Sequence, residues 1–408
     1  MPSGWGDTFE ENIPEDDLVS VTRNALGELP YLSWPWTREI IAHAGPRIQR
    51  SYYHYRNPGS GVVVYLLDNG LDPNHPDLLH AKVADWITTS RFPAEKWTDN
   101  YLRHPARPHG TLVASKIAGK LSGVAQAVEL VIVPCRNGYG LQTEDSVWDC
   151  VLKTYDHIKK NNKDRPCIVN FSRTLLQPAL PQTKDHPFLN IFPVMERMTQ
   201  WVFKEFEKLS NVIFVCAAGN SPPESKIEHF PAALGRSAEY KRLVVVGGAQ
   251  EVDSVWQNRF QFDKSIVNMI WAPAGSIVSA CLPDPRIPQN SWKDYMFYDI
   301  KNEGGGTSSA TGIITGILAS YISKTLDEDT KAHREINLEE HMDDAIAMLK
   351  WLSNIRVLKD WAGNPFNSEE VPVAWNGIST DKWTREDQQV VENSIPFMPP
   401  VVSKPHPE

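Results

Sequence analysis

A series of short apolar runs alternating with helix-patterned segments constrains this chain more than any other feature of its sequence. "GVVVYLLDNG" (61–70), "VELVIVPCRN" (128–137), "PCIVNFS" (166–172), "NVIFVCAAGN" (211–220) and "RLVVVGGA" (242–249) lack the polar alternation of a half-solvated strand. Each therefore reads as a strand, and such continuous apolar runs mark burial on both faces. Between them lie helical patterns. "HGTLVASKIAGKLSG" (109–123) keeps small residues on one side, and "TEDSVWDCVLKTYDHIKKN" (143–161) opens with a Thr cap and spaces Val147, Val151, Tyr155 and Ile158 helically. "PVMERMTQWVFKEFEKL" (193–209) starts with Pro and puts Val194, Met198, Trp201, Val202, Phe206 and Leu209 on one face. "TGIITGILASYISKTL" (311–326) is apolar nearly all round, which predicts a central, buried helix. The alternation predicts an α/β fold, a mainly parallel β-sheet flanked by helices on both faces.

A chain of 408 residues has room for one large α/β domain with extensions or for two smaller ones. Residues 1–37 are rich in Pro, Trp and acids without clear periodicity and read as an N-terminal arm. Residues 38–325 carry the strand-helix alternation, and 326–408 read as a C-terminal helical extension and tail. In that extension "LDEDTKAHRE" (326–335) is a solvated linker or helix edge, and "NLEEHMDDAIAMLKWLSNIRVLKDW" (337–361) is an amphipathic helix capped by Asn337, with Glu340 three residues on. The stretch from about 362 reads as loop, ending in a Pro-rich tip. A formal charge of −9 argues against nucleic acid or an anionic membrane as a generic partner. The acidic N-terminus has no signal-peptide core, and the longest apolar run is too short to span a bilayer. Five cysteines, an odd count, show neither a disulfide framework nor a zinc spacing. Cys135, Cys167, Cys216 and Cys281 sit in or beside apolar runs and read as buried free thiols, so a cytoplasmic location is expected over a secreted one.

Open parallel sheets place their chemistry at the carboxyl ends of strands. Asp68 ends the first buried strand, Asn220 ends "VIFVCAAGN", and His109 opens a helix. Ser308, with Ser309 beside it, opens the central helix after the glycines of "GGGTSSATGIITG" (304–316). A glycine-rich stretch before a helix can also cradle phosphate, but this one lacks the Lys of a P-loop. Asp, His and Ser together make an acyl-transfer nucleophile: the imidazole takes the hydroxyl proton and the carboxylate fixes its tautomer. An amide such as Asn220, with the N–H groups at a helix start, can hold the oxyanion that develops.

On these residues the chain resembles the subtilisin-like serine peptidases (subtilases), with some likeness to the proteinase K subgroup, from about residue 38 to 325. "YLLDNGLDPNHPDL" is similar to the family's Asp box, "HGTLVASKIAG" to its His box, "VCAAGN" to its oxyanion-Asn box and "GGGTSSATGIITG" to its Ser box. The resemblance implies a three-layer fold and serine endopeptidase activity on a peptide or protein substrate. It assigns Asp68, His109 and Ser308 as the triad and Asn220 as the oxyanion donor. Its Gly-Thr-Ser-x-Ala register selects Ser308 and leaves Ser309 in the variable position. It further implies that substrate adds as a β-strand between "NGYG" (137–140) and "FSRT" (171–174), that is, against Gly138, Tyr139, Gly140, Ser172, Arg173 and Thr174. No cofactor is implied. Many subtilases bind structural calcium, and Asp72 and Asp77 would be candidates, although solvated turn acids are the plainer reading. Activity through a neutral His109 should fall below about pH 6.5.

The sequence departs from the family pattern at several positions. Asn69 replaces a Thr, with little consequence expected. Arg173-Thr174 replace Leu-Gly, which by analogy turns Arg173 toward the pocket for the fourth residue before the cut and implies a preference for acidic residues there. Gly312 stands where a Pro is common, at a cost of up to about 1 kcal/mol of helix stability. Only the 1–37 arm precedes the domain, less than a cleaved pro-domain would need. The Arg173-Thr174 wall, the short preceding segment and the absent secretion signal motivate a rival in which the fold serves as a binding or regulatory module, or transfers acyl groups in a biosynthetic role. His75 reads as structural, His104 as exposed or structural, and the "NFS" sequon at 170–172 as buried.

Overall fold

The computed structural model describes residues 9–13, 18–26, 28–33, 49–87, 109–135, 144–173, 192–222, 225–252, 255–258, 263–275, 277–280, 296–298, 306–356, 373–378 and 380–394. Its N-terminal elements are β1 (Phe9–Asn12), β2 (Val19–Arg23), α1 (Leu29–Ser33) and β3 (Tyr52–Tyr55). There follow β4 (Val63–Asp68), β5 (Lys82–Trp86), α2 (His109–Ala118), β6 (Glu129–Pro134), α3 (Glu144–Asn161), β7 (Cys167–Phe171), α4 (Phe192–Glu207) and β8 (Val212–Ala217). The C-terminal half adds β9 (Leu243–Val252), β10 (Val255–Asn258), β11 (Met269–Pro273), β12 (Val278–Ala280), β13 (Met296–Tyr298), α5 (Thr307–Lys331), α6 (Leu338–Arg356) and α7 (Arg385–Ser394).

Each apolar run becomes a strand of one eight-stranded sheet among the described residues, in the order β10-β9-β8-β7-β4-β6-β5 with β11 also on β9. All its pairings are parallel except β9 with β10. Successive side chains of a strand point to opposite faces, so an all-apolar strand must feed two cores. Val62, Val64 and Leu66 join Leu130, Ile132, Ile168 and Val215 in a core closed by α2, α5 and α6. Val63, Tyr65 and Leu67 join Val131, Val169, Phe171 and Phe214 in a second core closed by α3 and α4. The architecture is therefore the expected three-layer α/β fold. Complete burial of each such aliphatic residue contributes about 1.5–3 kcal/mol, which is why β4, buried throughout, shows no polar alternation.

The central helix α5 is buried from Thr307 to Gly316 except at Ser308, and onward to Ser323. It continues through the expected charge run as far as Lys331. The cap of α6 is as expected: Asn337 Oδ1 accepts the Glu339 and Glu340 N–H groups at 3.1 and 3.4 Å.

Three local readings change. Val194, Met198 and Trp201 of α4 are exposed (46%, 49% and 61%). The stripe that faces the sheet is Thr199, Val202, Phe203 and Phe206, a narrower face than the apolar pattern indicated. The 1–37 segment supplies β1 and β2, and β2 pairs antiparallel with β1 on one side and β3 on the other. The stretch beyond 362, read as loop, contains α7, whose start is marked by Thr384 Oγ1 accepting the Asp387 N–H at 3.2 Å. These terminal segments pack together. Ile13, Val19, Val21 and Tyr53 share a small core with Ile378 and Trp383, and the Tyr53 and Trp383 rings stack at 4.5 Å. Arg23 pairs there with Asp387 at 2.6 Å, both side chains nearly or fully buried.

Cys135, Cys150, Cys167 and Cys216 are free and buried, and burial pushes the Cys167 thiol up to about 12. Among the described residues no helix is long and apolar enough to cross a membrane. The proposed Thr143 cap, His104 and Cys281 lie outside the described residues.

Candidate active site

Strand register sets which residues meet. In the parallel ladders Asp68 stands level with Pro134, Leu67 with Phe171, and Phe171 with Cys216. The residues that leave these strands (Asp68, then Ser172 and Arg173, then Ala218 to Asn220) therefore gather along one sheet edge. Helix packing delivers the rest. A Cβ on Gly312 would lie 2.9 Å from Lys116 Cβ and 3.0 Å from the Val113 carbonyl, and one on Gly316 would lie 2.6 Å from Val124 Cβ. Contacts that advance together along both segments mean that α2 and α5 run the same way. Val113 is one turn into α2 from His109 and Gly312 one turn into α5 from Ser308, so the imidazole and the hydroxyl open at the same end.

Asp68 is fully buried and His109 partly exposed, with His109 Nδ1 lying 2.8 Å from Asp68 Oδ2 and 2.9 Å from Oδ1. A carboxylate only accepts, so Nδ1 carries the proton and Nε2 is left as the basic nitrogen. Asp68 Oδ1 also takes the Asn69 N–H at 2.6 Å and Arg173 Nη2 at 3.2 Å. Burial pushes the Asp68 carboxyl up, but the charges of His109 and Arg173, with the hydrogen bonds from His109 and Asn69, hold it well below the usual carboxylate range. Asp68 therefore stays ionised.

Ser308 is half-buried, and its Oγ donates to the Ser172 carbonyl at 3.3 Å; no hydrogen bond joins it to His109. That contact is long for an O–H···O bond and is readily exchanged for another acceptor. Ser309 differs sharply: it is fully buried and its Oγ has no hydrogen-bond partner among the described residues. A hydroxyl with no exposure cannot meet a substrate, so burial separates the two serines that adjacency left equivalent.

Asn220 is exposed just past β8, and its Oδ1 accepts both Thr307 N–H and Thr307 Oγ1–H at 2.9 Å. The Thr307 N–H can only donate, so the amide atom facing it is the oxygen, and Nδ2 keeps its hydrogens free. Asn220 thus caps α5 from outside the helix, since Gly306 at the N-cap offers no side chain. Gly306 has φ +119°, and a Cβ there would lie 3.0 Å from the Asn220 amide atoms. Only glycine suits both constraints. Asn220 Nδ2 and the remaining N–H groups in the first turn of α5 form an electropositive corner beside Ser308.

Sequence reasoning missed the support beneath this corner. Asn170 Nδ2 donates to Thr315 Oγ1 at 2.9 Å, and the Ser172 hydroxyl lies 3.2 Å from both Asn170 Oδ1 and the Ser308 carbonyl. The sequon is thereby consumed in a buried tie between β7 and α5. A polar Asn in an otherwise apolar strand run was the available signal. Arg173, expected at a substrate pocket, has its guanidinium on Asp68. His75 is buried and its Nδ1 accepts the Asp77 N–H at 3.1 Å, a structural role as read. Asp72 and Asp77, read as solvated, are 8% and 2% exposed; Asp77 instead accepts from Leu121 N–H and Ser122 Oγ at 2.7 and 2.8 Å, binding the turn after α2. Among the described residues no group of three or more His, Cys, Asp or Glu is placed to hold a metal ion. Gly138, Tyr139, Gly140 and Thr174 lie outside the described residues.

Comparison with known proteins bears on the family and the fold. The chain is 26% identical over 279 residues to a subtilisin-like protease 2 from Trichophyton tonsurans, covering 67% of this chain and 52% of that one. It is 25% identical over 343 residues to a subtilisin-like protease 2 from Arthroderma benhamiae, covering 82% and 63%. The chain thus spans only about half to three-fifths of these relatives. Among solved structures it resembles a cold-adapted subtilisin-like serine proteinase (TM-score 0.54, 18% identity, 87% of this chain and 100% of the other). It also resembles sphericase (TM-score 0.50, 15% identity, 79% and 93%), and both likenesses concern the fold. The model of the subtilase family matches residues 59–343, most of the chain, and the protein belongs to that family.

Proposed function

We propose that this chain is a serine endopeptidase in which Ser308 attacks the scissile carbonyl, His109 carries the proton and Asp68 orients His109. The observation that carries the reading is the Asp68–His109 Nδ1 contact at 2.8 Å, opening at the same end as the half-exposed Ser308. Rotation of Ser308 Oγ away from the Ser172 carbonyl lets it donate to His109 Nε2. As the Oγ–C bond forms, the proton passes to Nε2, and ionised Asp68 stabilises the imidazolium. The tetrahedral oxyanion sits between Asn220 Nδ2 and the Ser308 N–H, where removal of one such donor typically lowers kcat about 10²–10³-fold. His109 then returns the proton to the leaving amine, and water repeats the cycle on the acyl-enzyme. Substrate backbone adds as a strand along Ser172 and Arg173, which leave β7. The 38–325 region carries this chemistry, and the described residues of the 1–37 and 326–408 segments brace it through Glu28 on Lys116 and the packing of α6.

The test is labelling with a fluorophosphonate probe, followed by product analysis on a peptide library. Labelling should vanish in Ser308→Ala and persist in Ser309→Ala. A folded parent that does not label would instead favour a binding module, and products joined to a second amine would favour acyl transfer.

A further inference from the structure

The peptide unit joining Ser172 to Arg173 touches both halves of the site. Its carbonyl receives the Ser308 hydroxyl at 3.3 Å, while the Arg173 side chain reaches back to Asp68 at 3.2 Å. The Arg173 side chain is only about a quarter exposed, and its Nε is buried with no hydrogen-bond partner among the described residues. Among the described residues this cation pairs with one carboxylate, Asp68, which also accepts from His109 Nδ1. We infer that Arg173 is a positioning residue that acts through Asp68, sharing Oδ1 with the imidazole and offsetting the carboxylate's charge so that His109 stays an uncharged base in more acidic solution.

The charge count gives the direction. An ionised carboxylate alone favours the imidazolium, because the pair is then neutral overall. With Arg173 in place Asp68 is already neutralised, and protonating His109 leaves a net positive cluster. Among the described residues no other group facing the pair reverses this. Asn69 contributes an N–H to Asp68. Cys135, at the end of β6, is a thiol pushed well up by burial and stays neutral. Asp72, in the turn after β4, accepts the Asn74 N–H. Lys116, two turns along α2, is paired with Glu28. Arg173 is thus the cation that bears on Asp68 among the described residues, and removing it should move the acid limb of the reaction to higher pH.

This inference rests on the peptidase reading, and the experiment separates the two. Rates of fluorophosphonate labelling of the full chain are measured from pH 5 to 9 for the parent, Arg173→Gln and Arg173→Lys, with thermal unfolding as a folding control. The acid limb should rise by about one pH unit in Arg173→Gln, the size expected from losing a charge this close, and stay near the parent's in Arg173→Lys. An unchanged limb with a uniformly lower rate in Arg173→Gln would mean that Arg173 only supports the fold, and would overturn the proposal. Should Arg173→Gln not fold, the lysine variant decides: a limb displaced by about a unit there overturns it. If the parent does not label at all, the peptidase reading fails. The pH titration of the His109 ring signals by NMR then still compares parent and Arg173→Gln, an upward shift supporting the inference and no shift refuting it.

Discussion

Lys116 and Glu28 offer the sharpest test of how the N-terminal segment supports the site. Lys116 lies on α2, the helix that His109 opens, and is fully buried; Glu28, just before α1, is 2% exposed at its side chain. The Lys116 ammonium donates to Glu28 Oε1 and to the Val278 carbonyl, and Glu28 Oε2 accepts the Val278 N–H at 3.1 Å. Glu28→Gln keeps the shape but leaves the ammonium buried without its counter-charge, which costs about 3–5 kcal/mol. Unfolding entropy near 2.1 cal/mol/K per residue over 408 residues gives about 0.9 kcal/mol per degree. The melting temperature should therefore fall by about 4–6 °C. Lys116→Met should cost a similar amount by stranding the carboxylate. The double variant should recover most of that loss, retaining only the cost of the lost Val278 contact, about 1–2 kcal/mol. Tryptophan-monitored thermal and urea unfolding of the parent, both singles and the double measures this coupling. Singles costing under about 1 kcal/mol each, with an additive double, would refute the claim that the pair is a buried clamp.

Two further outcomes are expected. Gly312→Ala should lower the melting temperature, because fitting a Cβ at 2.9 Å from Lys116 Cβ and 3.0 Å from the Val113 carbonyl costs about 1–3 kcal/mol against a helix-propensity gain near 1; a stabilised variant would show that α2 and α5 are not in close contact. Asp68 is more acidic folded than unfolded, so its stabilising contribution is complete above the unfolded value of about 4 and is lost as pH falls toward the folded one. Urea midpoints for the parent should drop steeply from about pH 4 to 2, while Asp68→Asn should show a flatter dependence, and equal slopes would contradict the assignment.

What the sequence made legible was local. Strands such as Val63–Asp68 announce themselves because burial on both faces forbids polar alternation, and the helix start at Asn337 is written in its own side chain. The proposed site rests on the same logic, since the end of a buried parallel strand is where Asp68 stands, level with Pro134 at the end of β6. The α4 face was misjudged because an apolar side chain does not say whether a neighbour covers it: Trp201 fits the stripe by spacing and yet is 61% exposed. The α7 helix went unread although Thr384 and Asp387 form a cap, because the pattern inside it is mostly polar and its partners lie far upstream, Asp387 meeting Arg23 and the preceding Trp383 meeting Tyr53.

The departures from the family pattern show most clearly why reading one position at a time falls short. Gly312 looked like a loosened helix start, and Arg173 like a change at a substrate pocket. In the fold each is one half of a pair whose other half is distant in sequence. The missing side chain at 312 lets α5 close on the stem of Lys116, whose ammonium then reaches Glu28. Arg173 reaches across from β7 to Asp68, 105 positions earlier. A proline restored at 312 would meet Lys116 and Val113, and so push on the helix that carries His109. A leucine restored at 173 would leave Asp68 Oδ1 without the guanidinium that shares it. Both changes bear on the same Asp68–His109 pair, one through the helix under the imidazole and the other through the carboxylate behind it. Single-residue comparison scores them as two unrelated losses, whereas the contacts make them two adjustments of one site.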